Sequence, residues 1–319
     1  MRKLLVCALV LGILGSGVVP ADASAGEKKK VAWIGTNLAH TYAAWLAQSA
    51  EKHVKKYPYM EMTILDSQNK MNVQMAQLEN CVADGFDYII LHPLEPDALR
   101  NTVDEIIEGG IPICVVNQSD GGAPKASNVD ADPVEQGQVP AEVAKERIPQ
   151  NGKVVILLGP SGNSHSIGRR IGFQKYLFDA RPDITVLDEQ IANWNKSEGM
   201  RYMEDWLQRF DHIDAVVSMN DAQALGAIEA AKAANRLKEM TYYGIDGLAD
   251  AVLSIRDGEL TATCVQNAEA QAAMALEIAD RVLRGEVEFE KTLTPGELIT
   301  TANVDKWIEI HTENGQIKK

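Results

Sequence analysis

Nine short apolar runs recur along the chain, at residues 31–34, 62–65, 88–91, 113–116, 154–158, 184–187, 215–218, 242–245 and 262–265. They are continuously apolar and often β-branched rather than alternating, the pattern of strands covered on both faces of a parallel sheet. The stretches between them carry helical stripes. Leu99, Val103, Ile106 and Ile107 share one face, as do Met203, Trp206, Leu207 and Phe210, and Ala275, Ile278, Ala279 and Val282. Gly109-Gly110 ahead of Ile111-Pro112, and Gly285 after Arg284, are helix stops. Repeated βα units with right-handed crossovers predict a doubly wound α/β fold.

A single sheet seldom takes nine or more strands. The βα rhythm breaks near 119–133, where Gly121-Gly122, Pro124 and Pro133 interrupt it, and then restarts. With 319 residues, 45% hydrophobic and 24% charged, the chain is long enough for two lobes.

Residues 1–25 stand apart and read as a secretory signal peptide. Arg2 and Lys3 precede an uncharged, mostly apolar stretch at 4–19, followed by the small-x-small sites Ala21-Asp22-Ala23 and Ala23-Ser24-Ala25. Gly12, Gly15 and Gly17 break the apolar stretch, which argues against a membrane anchor. Cys7 lies too early in it to be a lipoprotein cysteine at the cleavage site. The formal net charge is −14, and removing 1–25 makes it one unit more negative. Such a chain repels nucleic acid and anionic membranes. Cys81, Cys114 and Cys264 are too few and too odd in number for a disulfide framework, so buried thiols are expected, with a single Cys114–Cys264 bridge left open.

Ligands of open α/β sheets sit beyond the carboxyl ends of the strands. Those ends carry Thr36-Asn37, His92, Asn117-Gln118, residues 161–164, Asn193-Trp194, Asn220-Asp221, Asp246 and Gln266. Most are uncharged hydrogen-bonding side chains, which suits a site for hydroxyl groups. Gly159-Pro160-Ser161-Gly162 lacks the Gly-Lys-Ser/Thr ending of a phosphate loop and reads as a tight βα turn. No Gly-x-Ser-x-Gly elbow is present, and the six histidines form no metal-ligand spacing. His53 and His212 read as solvated helix residues, while His40 and His165 fall in candidate ligand loops. No pair of acids stands at a spacing that requires acid/base catalysis, so neither an enzyme nor a metal or cofactor is expected.

At Leu65-Asp66-Ser67-Gln68-Asn69 the chain resembles the ribose-binding-like class of periplasmic solute-binding proteins, a likeness that runs over about residues 29 to 300. Further landmarks are His92-Pro93, Asp97-Ala98-Leu99, Ile111-Pro112-Ile113 and Gly172-Phe173. Asn220-Asp221 with Ala224-Leu225-Gly226, Gly244-Ile245-Asp246-Gly247, Ala262-Thr263 with Gln266, and Asn303-Val304-Asp305 follow in order. Each is weak alone; the order and spacing are specific. The resemblance implies two doubly wound lobes joined by a three-segment hinge, crossing near 130–132, 265–267 and 293–296. The first lobe would comprise 26–131 plus 267–294, and the second 132–266 plus 295–319.

By the same resemblance, Arg169, Asn220, Asp246 and Gln266 match the family's sugar-contacting arginine, asparagine, aspartate and glutamine. Tyr42 and Trp194 stand where the family packs aromatics against the sugar ring, and Asn37, His40, Asn117, Gln118 and His165 complete the candidate site. Two departures bear on specificity. The family's asparagine-proline-aromatic-aromatic stretch reads Ala39-His40-Thr41-Tyr42, and its aspartate-arginine pair reads Asn117-Gln118. Hydrogen bonds to charged groups contribute about 1.5–3 kcal/mol each, so losing that pair predicts a ligand other than ribose. The expected function is that of a monomeric periplasmic receptor handing a sugar or sugar alcohol to an ABC permease of the inner membrane. The alternative is a sensing protein that presents such a ligand to a chemoreceptor or sensor kinase. A transcriptional regulator sharing the sensor fold would carry a helix-turn-helix where the signal pattern stands.

Overall fold

The computed structural model describes residues 28–318, so the leader expected at 1–25 lies outside the described residues. Most of the apolar runs form strands sealed on both faces, as at Val31, Ala32, Trp33 and Ile34, which are all buried, while those at 62–65 and 184–187 fall on partly exposed edge strands. In chain order come β1 (Lys29–Gly35), α1 (Thr41–His53), β2 (Met60–Asp66), α2 (Met71–Ala83), β3 (Tyr88–Leu91), α3 (Pro96–Glu108), β4 (Ile113–Val116) and β5 (Ser127–Asp130). Next are α4 (Pro133–Arg147), β6 (Lys153–Leu158), α5 (Ser164–Phe173), β7 (Thr185–Ile191) and α6 (Lys196–Arg209). Then follow β8 (Ala215–Ser218), α7 (Asp221–Ala233), β9 (Thr241–Asp246), α8 (Ala249–Arg256) and β10 (Ala262–Val265). The described order is completed by α9 (Ala268–Leu283), β11 (Lys291–Leu293), β12 (Glu297–Ile299) and α10 (Val304–Glu313).

Two six-stranded sheets result, ordered β11-β5-β4-β3-β1-β2 and β12-β10-β9-β8-β6-β7. The pairs are parallel except β10 with β12. The chain passes between the sheets three times: after β5, after β10, and between β11 and β12. Helix α9 follows a strand of the second sheet yet packs on α1, β3, β4 and β5 of the first.

Helix starts are written locally. Asp132, at the first passage between sheets, accepts from the Val134 N–H at 2.8 Å, and Pro133 takes the first helical position of α4. Asn163, Asn195, Asn220 and Asn267 cap α5, α6, α7 and α9 in the same way.

Three strands went unread in the sequence: β5, β11 and β12. Each has only three or four residues with polar side chains among them, so no apolar run marks it. Cys114 lies in β4 and Cys264 in β10, in different sheets; both are buried and free, which removes the bridge the sequence left open. His53, expected in solvent, is instead buried, with Nε2 2.9 Å from Glu269 Oε1. His212 is exposed but follows α6 rather than lying on a helix.

Candidate functional site

The carboxyl ends of both sheets face one cavity of about 650 Å³. The first sheet contributes Thr36 after β1, His40 and Tyr42 at the start of α1, His92 after β3, and Asn117-Gln118 after β4. The second contributes His165 and Arg169 from α5, Asn193-Trp194 after β7, Asn220 after β8, Asp246 at the end of β9, and Gln266 after β10. The volume lies in the range of small-molecule sites. Across the cavity the halves touch directly: the Ser164 hydroxyl donates to Gln118 Oε1 at 2.6 Å, and His165 Nε2 lies 2.9 Å from Asp130 Oδ1.

Arg169 is the organising cation, and it is almost wholly buried. Its Nη1 donates to the Met219 carbonyl at 2.7 Å and its Nε to Gln136 Oε1 at 3.0 Å, while Nη2 donates to Gln266 Oε1. Nη2 also stands 3.4 Å from Asp246 Oδ1, and the guanidinium carbon lies 5.4 Å from the centre of the Trp194 ring. A guanidinium with a partner at each of its three nitrogens is held in one pose, ready to present the same edge to each ligand. Gln136, which the sequence did not single out, also donates from Nε2 to Gln266 Oε1 at 2.9 Å. It lies behind the lining residues, fixing two of them, and a glutamine within a helix gives no sequence signal for that role.

Asp246 sits at φ 132° and is buried. Burial pushes its carboxyl up to about 8; the Arg169 guanidinium pulls the other way, and the nearby Asp221 carboxyl adds to the rise. Asp221 lies behind it, pushed up to about 6 by burial although it accepts from the Thr263 hydroxyl at 2.6 Å and the Leu248 N–H at 2.9 Å. These bonds brace the loop that carries Asp246.

Asn220 serves two purposes. Its Oδ1 caps α7 by accepting from the Gln223 N–H at 3.0 Å, and its Nδ2 faces the cavity wall, 3.4 Å from the Trp194 carbonyl. Trp194 stands in the left-handed region, φ 59°, and its indole occupies the space a Cβ on Gly159 would fill. The glycine of the βα turn is therefore a requirement of the aromatic wall. Tyr42 donates to Gln271 Oε1 at 3.2 Å and packs edge-on to Trp45, and burial raises its hydroxyl well above the usual range. Burial lowers His40, opposed by Asp66.

Ten of the eleven residues expected from the sequence line this cavity: Arg169, Asn220, Asp246, Gln266, Trp194, Tyr42, Asn117, Gln118, His40 and His165. Asn37 does not. Its Oδ1 accepts from the Ala39 N–H at 3.0 Å, so it shapes the turn ahead of α1. Among the described residues, no group of three or more His, Cys, Asp or Glu is arranged to hold a metal ion.

A family model described as a periplasmic binding protein domain matches residues 31–287. The chain belongs to the periplasmic binding protein family. A xylitol-binding protein of Mycolicibacterium smegmatis is 33% identical over 251 residues, covering 78% of this chain and 71% of the relative. A ribose import binding protein of Salmonella typhimurium is 29% identical over 286 residues, covering 90% and 94%. Among solved structures, an ABC transporter solute-binding protein of Bacillus halodurans with bound myo-inositol superposes with a TM-score of 0.82 at 30% identity, over 89% of this chain and 98% of that one. The relatives of this periplasmic binding protein are thus named for ligand binding and, in two of the three, for import or transport, and the solved one shares its fold.

Proposed function

We propose that this periplasmic binding protein is an exported receptor of an ABC importer that closes around a small, uncharged, polyhydroxylated ligand. The class is a sugar alcohol, cyclitol or sugar other than ribose. The observation that carries the reading is the convergence of Arg169, Asn220, Asp246 and Gln266 on one cavity, facing His92, Asn117 and Gln118 of the opposite sheet. Among the lining residues Arg169 is the sole guanidinium or ammonium group, and Asp246 already stands beside it. A phosphate or carboxylate ligand therefore has no spare cation to meet. Hydroxyl groups suit the set: ionised Asp246 accepts from vicinal hydroxyls, Arg169 donates, and Asn220 and Gln266 do both. Trp194 and Tyr42 offer apolar faces to the C–H surface of such a ligand. The relatives named for xylitol and holding myo-inositol support the polyol side of the class.

Binding is read as hinge closure, with lobes 26–131 plus 267–294 and 132–266 plus 295–319 turning about three crossing segments. The closed form is what a membrane permease would recognise. A monomer that avoids nucleic acid fits the negative net charge of −14. The test is a thermal-shift screen of aldoses, polyols, cyclitols and nucleosides. At least one polyol, cyclitol or aldose other than ribose is expected to raise Tm progressively with concentration, as mass action requires. Stabilisation by nucleosides alone, or by none of the panel at millimolar concentration, would overturn the reading.

A further inference from the structure

The turn that carries Asp246 is gripped from behind the cavity wall. Asp246 and Gly247 follow one another at φ 132° and 72°, and an aspartate holds such a backbone only where its surroundings over-determine it. The next peptide unit, which joins Gly247 to Leu248, is held at both ends. Its N–H donates to Asp221 Oδ2 at 2.9 Å, and its carbonyl, on Gly247, meets His311 Nε2 at 2.8 Å. His311 does not line the cavity; it lies on α10 and is wholly buried.

The ring has little freedom to leave. The Trp45 ring of α1 stands 5.1 Å from it, centre to centre, and Trp307, one turn earlier on α10, stands 6.4 Å away. Helix α1 packs on β1 of the first sheet, so both halves hold the imidazole. Beyond α10 the chain reverses at Gly315, φ 74°. There the Gly315 N–H donates to the Thr312 carbonyl at 3.0 Å and the Gln316 N–H to the His311 carbonyl at 2.8 Å. That reversal brings the Gln316 side-chain amide onto His311 Nδ1. A carbonyl only accepts, so Nε2 carries a proton. The Gln316 amide serves Nδ1 through either of its ends, so this donor exists in the neutral and the protonated ring alike. An apolar side chain would fill the gap between two indoles equally well. What the imidazole adds is a proton for the Gly247 carbonyl.

We propose that His311 is a positioning residue: by pinning the Gly247 carbonyl it fixes the turn that aims the Asp246 carboxylate into the cleft. This deepens the reading of Asp246 as the acceptor of ligand hydroxyls and rests on it.

In ligand-free protein labelled with 13C at the aspartate carboxyls, the Asp246 signal is assigned by its loss in Asp246→Asn. Arg169 and Asp221 face that carboxyl, and in wild type it should titrate near 8. In His311→Leu, which fills the space without a donor, the turn relaxes toward solvent and the midpoint should fall toward the ordinary carboxylate range. His311→Gln, which restores a donor, should bring it most of the way back. Long-range 1H–15N spectra of wild type should show a proton on His311 Nε2, a reading that needs no variant to fold. In calorimetric titrations with myo-inositol and xylitol, whichever probe binds wild type should bind about tenfold more weakly to His311→Leu and within about threefold of wild type to His311→Gln. A ring proton on Nδ1 alone, a midpoint that does not fall in His311→Leu, or a His311→Gln indistinguishable from His311→Leu overturns the proposal. Lost stability in His311→Leu with affinity and carboxyl titration unchanged marks a core histidine and overturns it too. Failure of both probes on wild type counts against the choice of ligand class, and the carboxyl titration still decides the pin.

Discussion

Asp246 is a carboxylate the fold holds against its own burial, and that tension has a measurable consequence. With its carboxyl pushed up to about 8 in the free protein, part of the population is protonated at neutral pH. Ligand hydroxyls donate to the ionised form, so binding releases a proton. Affinity should therefore rise between about pH 6 and 8, by at most tenfold per unit, and level off above the range in which Asp246 titrates. Titration calorimetry in buffers of different ionisation heat would show the released proton. Stability runs the other way. The folded protein binds the proton more tightly than the unfolded chain, so the favourable contribution of Asp246 is complete at low pH and is lost as pH rises through about 8. Asp246→Asn should consequently gain in Tm relative to wild type as calorimetric scans move from pH 5 to pH 9; a constant difference across that range would contradict the assignment. At this scale most of the cavity was legible, because polar residues after apolar runs mark the carboxyl ends of strands. Gln136 was not: it acts from the middle of α4, where nothing in the local pattern separates a buried glutamine from a solvated one. Asn37 differs for the opposite reason, a polar strand-end residue whose side-chain oxygen accepts within its own turn and which does not line the cavity.

The elements owe their positions to short-range signals that the chain states openly: β-branched runs, asparagine and aspartate caps, and glycines at helix ends. The strands left unread, β5, β11 and β12, flank the passages between the sheets, where pairing with a neighbouring strand rather than an apolar run makes the strand. Helix–helix contacts were also beyond the sequence, and they depend on glycine. A Cβ on Gly137 of α4 would collide with the Arg169 carbonyl of α5, and one on Gly226 of α7 with the Lys196 carbonyl of α6. Overpacking of this kind costs about 1–3 kcal/mol. Gly137→Ala and Gly226→Ala should both lower the free energy of unfolding by amounts in that range. Only Gly137→Ala should weaken ligand binding markedly as well, because the backbone it displaces carries Arg169. Equal affinity in the two variants, measured alongside urea unfolding, would show that the α4–α5 contact does not hold the arginine.

For the whole molecule, the doubly wound architecture and its division into two sheets followed from the count and character of the apolar runs. The return of α9 to the first lobe did not, since it reverses the order in which the chain lays down its sheets, and it was anticipated only through the family likeness. That return, with the passages at β5, β10 and β11–β12, leaves the cleft as the place where both halves supply side chains. The contacts of Ser164 with Gln118 and of His165 with Asp130 join the halves across it. Ligand should favour this closed arrangement and reduce the radius of gyration in X-ray solution scattering; an unchanged or larger radius would argue against hinge closure. The decisive comparison is a calorimetric titration of one ligand, taken from the thermal-shift screen, into wild type and Asp246→Ala under identical conditions. Wild type should bind at about micromolar Kd, near −8 kcal/mol. The variant should give no binding heat while its unliganded Tm stays within a few degrees of wild type. Undiminished affinity in Asp246→Ala would remove that carboxylate from the binding site and with it the account of how this cleft recognises its ligand.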